Sequence, residues 1–102
     1  MIDNYMEYII CSAIYYNDKI EYIYQPINIL EGFVVCGRRH HNIITTSKVI
    51  GVVERLQTNH AEIQGFLTSR DRFVDRHEGG LIAFKSGQTK HLKKELCSED
   101  LY

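Results

Sequence analysis

The stretch 64–76 reads Gln-Gly-Phe-Leu-Thr-Ser-Arg-Asp-Arg-Phe-Val-Asp-Arg and crowds three arginines and two phenylalanines around one turn. Guanidinium forks grip phosphate in two places at once, and aromatic planes beside them hold a purine base. A second basic cluster, Arg38-Arg39-His40-His41, stands where an apolar run gives way to a helical pattern. Backbone N–H groups at a helix start favour anions, more so with arginines at hand. Arg72 and Arg76 bracket a second strand-to-helix junction of the same kind. Two such clusters in one short chain fit a ligand that carries a diphosphate. Phe66 and Phe73 flank the arginines, and strand alternation turns one ring inward and one outward. Phe73, inside the 72–76 segment, is the better placed of the two to stack on a base. The bland alternative is a pair of solvated turns with both rings in the core.

Other chemistries find less support. His40, His41, His60, His77 and His91 show no His-x-x-x-His spacing, no His-Glu-x-x-His and no paired-cysteine motif. Neighbouring histidines on a helix also project roughly 100° apart, so no metal is expected. Cys36 near His40 has the residue types of a nucleophilic pair, but nothing marks Cys36 as more than a thiol in a strand. Glu99-Asp100 reads as an acidic terminus. The expectation is a binding protein, not an enzyme, with no cofactor.

The chain has 102 residues, 44% of them hydrophobic, and a single proline, enough for one core and one domain over 1–102. A formal net charge of -1 and a pI near 6.5 argue against a surface built to hold a nucleic-acid backbone. Charge is uneven, however: all six arginines fall between Arg38 and Arg76. That basic middle keeps a small nucleic-acid-binding accessory protein as the rival reading. Cys11, Cys36 and Cys97 are odd in number and lack redox or metal spacing, as expected of reduced thiols in a cytoplasmic protein. Acidic Asp3 and Glu7 stand where a signal peptide would carry positive charge, and no apolar run reaches the length of a membrane span.

Residues 5–16 and 19–25 are rich in tyrosine and isoleucine and are separated by Asn17-Asp18, which predicts an N-terminal hairpin. Alternation places Tyr8, Ile10, Ser12 and Ile14 on one face and Ile9, Cys11, Ala13 and Tyr15 on the other. Both faces are apolar, as in a sheet covered twice or one used for homo-oligomer contacts. A buried strand follows at 32–36, then a helical pattern of Ile43, Ile44, Val49, Ile50, Val53 and Leu56. Residues 64–74 form a second hairpin turning at Arg70-Asp71. Asp75, three residues before Glu78, is the N-cap of a helix over 76–86, with Gly87 as its C-terminal cap. Gly79-Gly80 weakens that helix by about 1 kcal/mol per glycine relative to alanine. The order β-β-β-α-β-β-α predicts an α+β domain: an antiparallel sheet with an N-terminal hairpin and two helices packed on one face.

The segments 37–44, 64–69, 72–76 and 98–102 resemble, in matched order, those of the type-one Thoeris anti-defence proteins of phages, known as sponges. The resemblance covers roughly 37 to the C-terminus, and the N-terminal hairpin matches in character. Gly79-Gly80 departs from the helix formers expected in the second helix. The resemblance implies binding, without cleavage, of the cyclic ADP-ribose isomers that bacterial TIR-domain enzymes make as an alarm. It also implies dimers with pockets at subunit contacts, or hexamers that hold cyclic oligonucleotides at separate sites, in the cytoplasm of the infected host. The expected ligand-binding set is Arg38, Arg39, His40, His41, Phe66, Thr68, Ser69, Arg72, Phe73 and Arg76.

Overall fold

The structure, a computed structural model, describes residues 6–49 and 62–101. Four strands form one antiparallel sheet in the order β2-β1-β3-β4: β1 is Ile9–Tyr16, β2 Phe33–Gly37, β3 Glu62–Thr68 and β4 Phe73–Asp75. Helix α1 spans His40–Val49, helix α2 Arg76–Lys85, and a single 3-10 turn Ser98–Asp100 follows. The α+β class and the antiparallel sheet agree with the sequence reading. The expected helical positions from Ile50 to Leu56 lie outside the described residues.

Register decides which side chains meet the helices. Ser12 faces Phe66, Ile14 faces Val35, Tyr16 faces Phe33, and Phe66 faces Val74, so all of these share one face. Ile43 of α1 packs on Ile14 and Tyr16, while Ile82 and Ala83 of α2 pack on Ile9, Phe66, Val74 and Leu96. Both helices therefore cover the same face. Simple alternation put Ile9 on the opposite side from Ser12. A bulge between Ile9 and Cys11 corrects this, setting Ile9 opposite Thr68 and into the helix-covered core and leaving Ile10 49% exposed.

The N-terminal hairpin has a different second arm from the one expected. β1 pairs with Phe33–Gly37, and residues 19–25 are not a strand. Local hydrogen bonds win there: Lys19 N donates to Asn17 Oδ1 at 2.9 Å and Ile20 N to Asp18 Oδ1 at 3.1 Å. Lys19 and Tyr24 also take positive φ, which breaks an extended run. The long connection instead reaches the far edge of the sheet, where Ile27 N donates to Asp71 O at 2.8 Å. Asn28 receives a bond from Phe73 N at 2.8 Å and donates to Phe73 O at 2.6 Å, taking the place of a fifth strand. The connection thus covers the face opposite the helices, where Tyr15 and Phe73 lie with ring centroids 5.8 Å apart.

Helix α2 begins as expected, with Asp75 accepting from Glu78 N at 2.8 Å, and ends at Ser86 before Gly87, whose φ of +83 suits a glycine cap. Its two internal glycines serve close approach. A Cβ on Gly79 would lie 3.0 Å from the Phe66 ring, and one on Gly80 only 2.1 Å from the Lys93 carbonyl oxygen. The C-terminal segment therefore lies against the helix backbone, where Leu96 N also donates to Arg76 O at 2.9 Å. Propensity alone favours alanine over glycine by about 1 kcal/mol, but the clash reverses the sign. Gly80→Ala is expected to lower stability by about 1–3 kcal/mol in urea unfolding. A more stable variant would mean that the segment around Lys93 does not rest on α2.

Candidate functional site

The two basic clusters do sit at strand-to-helix junctions, β2 to α1 and β4 to α2, but their side chains serve two separate places. Arg72 holds Glu7 bidentately, Nε to Oε2 and Nη2 to Oε1 at 2.8 Å each, and Nη2 also reaches Glu78 Oε2 at 3.1 Å. Thr68, fully buried, donates its hydroxyl to the same Glu7 oxygen at 2.5 Å and accepts from Arg70 N at 3.2 Å. The hydrogen bond from Arg72 holds the Glu7 carboxyl below the usual carboxylate range, against a partial opposing effect of burial. Ser69 accepts from Tyr8 N at 3.0 Å and its own N donates to Tyr8 O at 2.9 Å, so the N-terminal segment is stitched to the β3–β4 turn at Glu7 and the residue after it.

Beside this clasp opens a cavity of about 380 Å³. Arg70, Arg72 and Lys85 bring positive charge to it, Glu7 and Glu78 oppose them, and Met6, Leu81 and Ile82 supply its apolar wall. Among the described residues Arg70 and Lys85 form no ion pair. Three cations against two carboxylates leave the pocket net positive, and its size falls in the range of small-molecule sites. Sequence reasoning named Arg70 and Arg72 but passed over the rest of this lining. Glu78, Leu81, Ile82 and Lys85 do follow helical i, i+3, i+4, i+7 spacing, a stripe that was open to reading. Glu7 carried no such signal, because its partner lies 65 residues away.

Arg76 turns elsewhere. Its Nη2 donates to Gln64 Oε1 at 2.5 Å and its Nη1 to Cys97 Sγ at 3.8 Å. Nearby, Arg39 pairs with Glu99 at 3.4 Å, while Arg38 and His41 are exposed at the start of α1. His40 is buried: Nε2 donates to Gly65 O at 2.7 Å, Nδ1 accepts from Ser98 Oγ at 3.3 Å, and the ring meets Phe66 edge-on at 5.1 Å. It is a tie between α1, β3 and the 3-10 turn. Phe66 and Phe73 do point to opposite faces, yet both are buried, at 0% and 7% exposure, because helices cover one face and segment 17–32 the other. Neither offers an open stacking surface, and the structure gives both rings packing roles.

Among the described residues there is no group of three or more histidine, cysteine or acidic side chains placed to hold a metal ion, and no helix long and apolar enough to cross a membrane.

Two outcomes follow from these placements. Truncating Phe73 to alanine is expected to lower stability by about 3–5 kcal/mol, as for other buried rings, and a melt near the wild type would show the ring to be dispensable for packing. Burial pushes the His40 pKa below its ordinary value, with Gly65 O acting in the opposite sense. The unfolded chain then binds the extra proton, so stability falls as pH drops below about 6.5, by at most about 1.4 kcal/mol per pH unit. Urea unfolding from pH 7 to 5 should show a shallower pH slope in His40→Gln than in the wild type. Equal slopes would refute the assignment.

No curated protein and no solved structure matches the chain. A family model described as Phage T4 y16D protein matches residues 8–102. With nearly its whole length so matched, the chain belongs to the phage T4 y16D protein family.

Proposed function

We propose that this phage-family protein binds and sequesters, without cleaving it, an anionic nucleotide signal of the cyclic ADP-ribose type in the cytoplasm of an infected bacterium. The observation that carries the reading is the pocket at the β4-to-α2 junction, with Arg70, Arg72 and Lys85 arrayed against Met6, Leu81 and Ile82. Such a lining matches a diphosphate joined to a base: guanidinium and ammonium groups meet the phosphates, and apolar side chains meet the ring. The choice of cyclic ADP-ribose over other nucleotides rests on the likeness of segments 37–44, 64–69, 72–76 and 98–102 to the Thoeris anti-defence proteins. The same likeness supports self-association, and segment 17–32 offers apolar surface for it: Ile23 is 77% exposed, Leu30 83%, and Tyr24 96% despite its positive φ.

Calorimetric titration with a cyclic ADP-ribose isomer should show binding, and denaturing the complex should release the ligand intact. Recovery of ADP-ribose would make the protein a hydrolase. Generic DNA or RNA bound with steep salt dependence, and no binding of the cyclic nucleotide, would replace this reading with a nucleic-acid one. Lys85→Ala and Arg70→Ala remove one charge-assisted contact each. About 1.5–3 kcal/mol per contact corresponds to roughly ten- to a hundred-fold weaker binding by folded protein. Native affinity in both variants would move the site out of this pocket. Arg72→Ala is expected to lose stability as well as affinity, because it leaves the Glu7 carboxylate without its cationic partner. Light scattering should report more than one chain per particle, and a monomer mass at all concentrations would refute self-association.

A further inference from the structure

The sheet brings together two of the three cysteines. In the β1–β2 register Ala13 faces Cys36, which makes Cys11 and Cys36 diagonal neighbours on adjacent strands. Both point to the face opposite the helices, and the neighbouring Cys36 thiol holds the Cys11 pKa below its ordinary value while its own is raised. Cys36 is exposed and Cys11 half-buried, so a small oxidant reaches the pair. β2 ends one residue later at Gly37, and β1 carries its bulge just before Cys11. Each strand can thus shift locally to shorten the diagonal. Cys97 is remote from them, beside Arg76 at the 3-10 turn.

We propose that Cys11 and Cys36 form an oxidisable dithiol that closes to a disulfide between β1 and β2 in the presence of a hydroperoxide. The proposal is independent of the ligand assigned above. Cys11 ionises first, since the adjacent Cys36 thiol favours its thiolate. The thiolate sulfur attacks one peroxide oxygen; the O–O bond breaks, giving Cys11 sulfenic acid and hydroxide, which takes up a proton as water. The Cys36 sulfur then attacks the sulfenic sulfur. A second water leaves with the sulfenic oxygen, and the S–S bond forms. Two thiols have been oxidised and one hydroperoxide reduced.

Full-length reduced protein treated with stoichiometric hydrogen peroxide, then alkylated under denaturing conditions and weighed intact, tests this. The expected product has lost about 2 Da and carries one alkyl group, with a linked peptide pair containing Cys11 and Cys36 after proteolysis. Cys97→Ser should give the same loss and no alkyl group. Cys36→Ser and Cys11→Ser should show no internal disulfide. Three alkylated thiols after treatment, oxygen uptake without the 2 Da loss, or a disulfide that includes Cys97 would each overturn the proposal.

Discussion

A backbone N–H or C=O left unpaired where water is excluded costs about 1–3 kcal/mol, and a sheet of four uneven strands creates several such groups. Here side-chain amides answer for them. Gln88 exchanges two 2.8 Å bonds with Ile9, where β1 extends past the end of β2. Asn28 does the same for Phe73 on the outer edge of β4, and Gln25 accepts from Val34 N on β2 at 2.9 Å. Each carboxamide presents a donor and an acceptor at peptide spacing, so it stands in for one residue of a missing strand. These bonds hold segment 17–32 across one face and fix Gln88, three residues after α2, to the start of β1.

Fixing those segments is what separates the two basic clusters. With α1 tied through His40 to Gly65 and Ser98, Arg39 just before it turns toward the C-terminal turn and Glu99. Arg72, across the sheet, is held by Glu7 and Glu78 beside an open pocket. The clasp joins the N-terminal segment to the β3–β4 turn and α2, across the 65 residues between Glu7 and Arg72. A guanidinium already satisfied on one edge keeps its orientation, so charge at the pocket is set in place before any ligand arrives.

Much of the fold could be read from local chemistry. Asp75 with Glu78 marked the start of α2, Gly87 its end, and Arg70-Asp71 the turn between β3 and β4. The errors arose where a competing local bond or a shift in distant pairing outweighed the signal. Asn17-Asp18 looked like a hairpin turn, but their carboxamide and carboxylate bonded the next backbone groups and released residues 19–25 from pairing. The bulge at Ile10 reversed the alternation that had placed Ile9 on the opposite face from Ser12. Of the candidate site, Arg72 was legible and Glu7 was not, since no spacing rule links positions so far apart. His40, Phe66 and Phe73 have the residue types of a binding site, and only burial shows that the fold has taken them for itself.

The central pair of the sheet has a kinetic consequence. β1 and β3 join Ser12 to Phe66 and Tyr16 to Glu62, so the two inner strands meet only after the intervening chain has closed on itself. Loop closure over that span is entropically unfavourable before any ladder bond offsets it, and non-local pairing of this kind slows folding. Local pieces such as α2 with its cap and the short β3–β4 hairpin can form early at little entropic loss. Segment 17–32 can dock last of all, because the face it covers is assembled only when β1 and β3 pair and bring Tyr15 beside Phe73. During the interval before it docks, the face carrying Tyr15 and Phe73 stands uncovered, which is when the nascent chain is most exposed to aggregation.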